Sequence, residues 1–413
     1  MKMMKRFTLV VLVALICLLV ASAGHAEDVS VPYSVCVSDN HYAADRMADG
    51  AYTTWWESTN RREPWVVIRS EEPIYGLYLC FVSKPDVYEI QERQGENWMT
   101  VIEDCGSPFY HVFYEMSGQK EIRILSADCE KKVLGFNEIC AFGKGEIPDW
   151  VQRWKTATEK TELLFLVAHP DDEVLFFGGA IPTYAAEKGK NVEVAYITCC
   201  NAVRRSEALN ALWAMGVRQY PEFGPFADRY PESGELADGY IYAGGKQAVL
   251  EWVTGLFRKY RPDVVVTHAE TGEYGHPQHK VAADASKLCF ALAADASNDP
   301  DSAWQYGTWQ VKKLYLHLYG NKEDQTALDW DRPLVSFGGK TGAQVASDAF
   351  ALHVSQKGAG IRWKEGEYAE FKVETFGAQY YPYDHFGLVS STVGEDREKN
   401  DYLENVPKKI ENQ

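Results

Sequence analysis

The sequence predicts two domains of different class: an all-β sandwich, then an α/β unit built on a mostly parallel sheet with flanking helices. Three observations predict it. From Glu27 to about Gly145, short strand-like runs recur between turn residues, the spacing of a sandwich. From Leu163 onward, apolar strand runs alternate with helix-forming stretches through short connections, which implies a doubly wound sheet. The first of those runs, Leu163 to Ala168, is apolar on both faces and stops at His169-Pro170-Asp171-Asp172-Glu173, four ionisable groups in five positions.

In chain order, residues 1–26 come first. Lys2, Lys5 and Arg6 precede an apolar run from Phe7 to Val20, and small residues lead to Gly24-His25-Ala26. That is the pattern of a secretory signal peptide cut after Ala26, with an uncleaved anchor as the alternative. No later run is apolar for long enough to span a bilayer. The expected location is therefore secreted, extracellular or periplasmic. Cleavage would remove three of the 42 basic residues, leaving 39 against 59 acidic ones, a balance that argues against nucleic acid as a partner. Eight cysteines would remain: Cys36, Cys80, Cys105, Cys129, Cys140, Cys199, Cys200 and Cys289. Export permits disulfides, and five of the eight fall before residue 141. None shows the CxxC spacing of a zinc ribbon.

In the first domain the predicted strands are Trp65 to Ile68, Ile74 to Val82, Tyr88 to Glu92, Trp98 to Ile102, Tyr110 to Tyr114 and Glu121 to Leu125. Tyr52, Trp55, Trp56, Trp98 and Tyr110 either stack on sugar rings or fill the core. Residues 147–162 read as a linker or a lead-in helix. In the second domain, helices are expected over Gly178 to Lys190, Asn201 to Trp213, Ala248 to Tyr260 and Thr341 to Ser355. Strands are expected over Asn191 to Thr198, Arg261 to His268 and Trp309 to Tyr319. An aromatic stretch, Phe376 to Phe386, either lines a cleft or packs over the sheet.

An imidazole and three carboxyl groups crowded behind one strand repel each other unless a cation sits among them, and a divalent metal is the simplest one. A second source of ligands follows the strand ending at His268. Pro277 suits a first helical turn, so His276 and His279 share a face at a helix N-terminus. His169, Asp172 and His279 would make a site of two nitrogens and one oxygen with an open position, the pattern of a catalytic Zn2+ or another divalent metal. His268, His317, His353 and His385 read as core or surface histidines and stay outside this site.

Ala168-His169-Pro170-Asp171-Asp172-Glu173 after one strand, with Gly275-His276-Pro277-Gln278-His279 after a later one, resembles the PIG-L or LmbE-like family of zinc-dependent de-N-acetylases. The resemblance covers roughly Thr161 to Val393. It implies a Rossmann-like fold and a hydrolase that removes acetyl groups from N-acetylglucosamine-type sugars in a glycan or glycoside. In that scheme Asp171 is the general base and Asp172 binds metal. His276, if protonated, stabilises the oxyanion or acts as the acid, and the Tyr274 phenol donates to the same oxygen. Glu173 orients a ligand. Arg204 either reaches the substrate or pairs with Glu207 on a helix face. Gln278 departs from the aspartate more usual in the family.

Asp49 to Trp56 and Gly135 to Ile139 resemble the discoidin, or F5/8 type C, fold, a galactose-binding-like sandwich whose relatives bind sugars and can carry a terminal clasp, here Cys36 and Cys140. The expected organisation is signal peptide 1–26, sandwich 27–146, linker 147–162, deacetylase domain 163–395 and tail 396–413. Two rivals stand beside it: a non-catalytic glycan-binding surface protein, and a zinc amidase acting on a non-sugar amide.

Overall fold

A computed structural model describes residues 29–59, 63–84, 87–104, 109–127, 133–157, 160–199, 201–356 and 385–407. The chain divides into two compact units between Val151 and Gln152.

The first unit is all-β. Its strands are β1 (Ser34–Val37), β2 (Trp56–Glu57), β3 (Trp65–Phe81), β4 (Tyr88–Gln94), β5 (Asn97–Asp104), β6 (His111–Ser126) and β7 (Gly135–Phe142). Every pairing is antiparallel, in the order β2-β7-β3-β6-β4-β5, with β1 added to β3. The period of two decides which side chains meet. Leu77, Leu79 and Phe81 enter the main core with Ile122, Ile124 and Ile139, while Tyr78 and Cys80 face a smaller cluster with Phe142 and Val151.

Two pairs of expected strands are in fact single long ones. β3 runs through both Trp65–Ile68 and Ile74–Val82, and β6 through both 110–114 and 121–125, save at the outermost residues. The polar residues between them mark register shifts at Arg69/Ile74 and Ile74/Gly76, where two paired strands bend without ending. Among the aromatic candidates, Trp56 is fully buried core and Trp98 lies against the guanidinium groups of Arg93 and Arg123, whereas Trp55 is exposed. The expected clasp is not formed: no disulfide joins Cys36 to Cys140. Cys36 sits opposite Val67 and Cys140 opposite Tyr78, on different halves of the long β3. Cys105, Cys129 and Cys200 fall outside the described residues, as do residues 1–26, 376–384 and 408–413.

The second unit is α/β. Its strands are β8 (Leu163–Val167), β9 (Val192–Cys199), β10 (Glu222–Ala227), β11 (Val264–Thr267), β12 (Lys313–His317), β13 (Gln325–Ala327) and β14 (His385–Ser391). The sheet order is β10-β9-β8-β11-β12-β14-β13. The first five strands are parallel, and the β14 and β13 pairings are antiparallel. That is the strand order of a Rossmann-like half with an antiparallel edge. β8, β11 and β12 are buried along their whole length, because helices cover both faces.

The helices are α1 (Asp172–Leu175), α2 (Ala180–Pro182), α3 (Ala202–Ala214), α4 (Leu236–Tyr242), α5 (Lys246–Tyr260), α6 (Pro277–Leu292), α7 (Pro300–Tyr306) and α8 (Gly342–Phe350). α1, α2 and α3 pack with α8, while α4 and α5 pack with α6. Leu164, Leu166, Ala195, Ile197, Val265 and Leu316 meet the α5–α6 side.

The helix expected over Gly178 to Lys190 is broken into α2 and a π-helical turn, Thr183–Glu187. Gln152 and Trp154, expected in a linker, are buried; Trp154 is edge-on to Trp213 and Tyr220, and Lys155 bridges to Gln219. No helix among the described residues is long and apolar enough to cross a membrane.

Candidate metal centre

The strand order reverses between β8, whose chain moves outward to β9, and β11, whose chain moves the other way to β12. Their connections therefore part above the carboxyl ends, leaving the crevice where open α/β sheets take ligands. Leu166 is paired with Thr267, so His169 and His268 emerge side by side at that crevice.

The loop after β8 is held in an unusual shape. Asp171 has φ 110°, a left-handed conformation that costs a non-glycine residue on the order of 1–3 kcal/mol. Its N–H donates to Glu173 Oε2 (2.7 Å), and its carbonyl accepts from Val174 and Leu175 as α1 begins. The turn aims Asp171 and Asp172 in different directions. Asp172 Oδ2 lies 3.1 Å from His169 Nδ1, 3.3 Å from His279 Nε2 and 3.5 Å from His268 Nε2, and it accepts from the His169 N–H. Asp171 Oδ1 faces Arg204 at 3.2 Å.

The second half comes from the loop after β11. Gly272 (φ +72°) turns it so tightly that a Cβ there would lie 2.5 Å from the His276 carbonyl. His276 becomes the N-cap of α6, its Nδ1 accepting from the Gln278 N–H, with Pro277 at the first position. Glu273, fully enclosed, collects three imidazoles: Nδ1 of His279 at 2.7 Å, of His317 at 2.9 Å and of His268 at 3.2 Å, besides the Ala269 N–H.

These hydrogen bonds fix which ring nitrogens carry protons. The Gln278 side chain donates to the Ala227 carbonyl and accepts from the Arg229 N–H, so its Oε1 faces His169 Nε2 (2.9 Å) as an acceptor. His169 Nε2 therefore bears hydrogen, and its lone pair, on Nδ1, points at Asp172. Glu273 likewise holds the proton on His279 Nδ1, which turns the Nε2 lone pair toward the same carboxylate oxygen. His268 Nε2 is already taken by the Ala168 N–H (3.1 Å), and neutral His276 presents Nε2–H rather than a lone pair.

Two triplets of donors lie within 4.8 Å of one another, His169/His276/His279 and Asp172/His268/His279. The hydrogen bonding leaves lone pairs converging from His169, Asp172 and His279. His279 Nε2 is buried with no hydrogen-bond partner among the described residues. An orphaned nitrogen beside an anionic oxygen is the donor set a divalent cation satisfies, so these residues fit one.

The electrostatics show how strongly the buried carboxylates draw positive charge into the cluster. Burial alone would lower the pKa of His279, yet Asp172 and Glu273 raise it to about 10. Burial would raise Asp172, but His279, His169 and His268 hold it well below the carboxylate range. Burial and the charge of Asp172 push Asp171 up to about 7, against the pull of Arg204. Burial, with His169 and His279 alongside, takes His276 down to about 2, so it is neutral rather than the imidazolium considered above.

The structure thus brings His169, Asp172, His279, His276 and Asp171 together. The rings of His276 and His279 stack at 4.7 Å, and Tyr274, about half exposed, sets its ring edge-on to both. Arg204 does not pair with Glu207, which caps Ser355 instead; it bonds Asp171, Asp228 Oδ2 (2.5 Å) and the Pro170 carbonyl. Glu173 holds the backbone of Asp171 and His353 Nε2 (2.6 Å) rather than a ligand's imidazole. Sequence reasoning set aside His268, His317 and His353 and passed over Glu273 and Asp228. A histidine closing a parallel strand, as His268 does, was the available signal for the first. Asp228 follows β10, a strand absent from the expected set.

Residues 164–290 match the family model described as PIG-L: GlcNAc-PI de-N-acetylase. The chain is 29% identical over 195 residues to 1D-myo-inositol 2-acetamido-2-deoxy-alpha-D-glucopyranoside deacetylase 1 of Frankia casuarinae, covering 40% of this chain and 62% of that protein. It is 32% identical over 199 residues to the 1D-myo-inositol 2-acetamido-2-deoxy-alpha-D-glucopyranoside deacetylase of Tsukamurella paurometabola, covering 38% and 62%. The chain thus spans about three fifths of the length of these curated relatives. Among solved structures it is similar to the N,N'-diacetylchitobiose deacetylase from Pyrococcus horikoshii (TM-score 0.40, 18% identity, 55% of this chain and 84% of that one). It is also similar to the F5/8 type C domain of a Bacteroides fragilis protein (TM-score 0.24, 20% identity, 28% and 93%).

Proposed function

We propose that this chain, whose residues 164–290 match the PIG-L family model, is a metal-dependent hydrolase that removes the acetyl group from an N-acetylglucosamine-type sugar. One observation carries the reading. Lone pairs of His169 and His279 converge within 3.1 and 3.3 Å of one Asp172 oxygen at the switch point of a parallel sheet, with His279 Nε2 otherwise unpartnered. The names of the similar proteins, deacetylases of N-acetylated glucosamine derivatives, supply the substrate class. Export, and a glycan or glycoside met outside the cytoplasm, belong to the same proposal and rest on the sequence of residues 1–26.

His169, Asp172 and His279 would hold the cation, Zn2+ or another divalent ion, which when bound polarises the acetyl carbonyl and makes an adjacent water more acidic. Asp171, with a carboxyl near neutrality, takes a proton from the attacking water. The water oxygen bonds to the acetyl carbon, the carbon–nitrogen bond breaks, and Asp171 returns the proton to the departing amine, giving acetate and a free amino sugar. The Nε2–H of neutral His276 donates to the oxygen that gains charge, and the Tyr274 hydroxyl reaches toward the same place. Arg204, locked to Asp171 and Asp228, sets the direction of the base and keeps its charge compensated.

The test is acetate release from a panel of N-acetylated sugars by the metal-replete chain, with and without a chelator. Release from glucosamine derivatives that stops on chelation and returns with added metal is expected. A metal-replete chain that frees acetate from no member of the panel overturns the proposal, and cleavage of non-sugar amides alone moves it to the other zinc amidase reading.

A further inference from the structure

Glu173 and His353 form a fully buried pair that the reaction above does not use directly. Glu173 Oε1 accepts from His353 Nε2 at 2.6 Å, both side chains being sealed from solvent, and Glu173 Oε2 accepts the N–H of Asp171 at 2.7 Å. One carboxylate thus spans the distance between an imidazole and the backbone of the residue with φ 110°. His353 stands 63 positions beyond the last residue of the matched family segment, 164–290. It is held there independently. Its N–H donates to the Phe350 carbonyl and its ring lies against the Phe350 ring. Two residues on, Ser355 is bound through both N–H and hydroxyl to Glu207 of α3.

A buried carboxylate stays in place only while its oxygens are satisfied. Without the His353 donor, one Glu173 oxygen would have no partner among these contacts. The side chain would then be free to rotate away from the Asp171 N–H and release the turn. Arg204 restrains the Asp171 carboxylate but cannot replace the bond to its backbone.

We propose that His353 is a positioning residue: through Glu173 it keeps Asp171 in its left-handed conformation, and with it the aim of the base. This rests on Asp171 being the base of the proposed deacetylation. Displacing a reacting group by about 1 Å costs about 10²-fold in rate, which sets the expected effect.

The experiment compares His353→Gln, whose amide nitrogen falls near the imidazole Nε2, with His353→Asn, whose amide nitrogen falls near Nδ1. In the full, metal-replete chain, His353→Gln is expected to keep kcat within a few-fold. His353→Asn is expected to lose about 10²-fold in kcat, with KM and bound metal unchanged. Adding Glu173→Gln to His353→Asn should cost little more. Equal kcat in the two variants, or loss of metal in parallel with activity, overturns the proposal. Crystal structures of both variants read the positioning without any reaction. An Asp171 φ that leaves the left-handed region in His353→Asn but not in His353→Gln supports it, and an unchanged φ in both overturns it. If the unmodified chain releases no acetate at all, the deacetylase reading fails alone, and the φ comparison still decides the role of His353.

Discussion

At the scale of single residues, the centre is a set of proton assignments enforced by neighbours. Asp171→Asn keeps the shape of the proposed base and removes its basicity; acetate release should fall about 10²–10⁴-fold while bound metal, measured by elemental analysis, stays the same. Glu273→Gln leaves one acceptor oxygen where the carboxylate serves Nδ1 of His279, His268 and His317. Metal affinity measured by calorimetry should drop about 10–100-fold, and affinity equal to the unmodified chain would show that His279 orients itself without help. The sequence announced His169, Asp171, Asp172, His276 and His279 because adjacent ionisable residues behind an apolar strand are conspicuous. It could not announce Glu273, which stands among ordinary loop residues and acquires meaning only when β12 brings His317 beside it.

At the scale of elements, β8 and β11 are legible as short runs without a charged residue, and β9 and β12 as mostly apolar runs that carry Glu193, Lys313 and His317. Ambiguity arose where hydrogen bonding rather than pattern decides the ends. The two long strands of the first unit pass through polar stretches because both bend at the same register shifts, a pairing no single run reveals. β10 escaped notice because Gly224 and Pro225 punctuate it like a turn. Gly224 is required there: a Cβ would lie 2.1 Å from the Ile197 carbonyl oxygen and 2.7 Å from that of Tyr196, both backbone atoms. Gly224→Ala should therefore destabilise the second unit by about 1–3 kcal/mol in chemical denaturation. A change near zero would mean that the β9–β10 edge yields easily.

At the scale of the whole molecule, the two units respond to pH through different groups. In the first unit burial, followed by the charge of Asp49, raises Glu138 to about 8 despite the hydrogen bond from the Gly50 N–H. The folded chain then binds a proton that the unfolded chain gives up near 4.5. That contribution to stability is complete below 4.5, declines as pH rises through the interval to about 8, and changes no further above it. Hydrogen-exchange protection in β7 of the full chain, taken relative to the intrinsic exchange rate at each pH, should fall across that interval, and Glu138→Gln should flatten the dependence; protection that does not change with pH in the unmodified chain would contradict it. In the second unit Asp172 and Glu273 are held well below their usual range, overcoming burial, by the surrounding histidines. Their contribution is present above the ordinary carboxylate pKa and disappears as pH falls through the depressed values.

The pairing of His169 with Gln278 spans 109 positions of the chain. At roughly 5–20 residues per second of translation, Asp171, Asp172 and Glu173 leave the ribosome several seconds ahead of the histidines and amide that complete their surroundings. For that interval the acidic turn stands without the imidazoles of α6, His276 at its N-cap and His279 in its first turn, and only their arrival assembles the donor set of the proposed cation site.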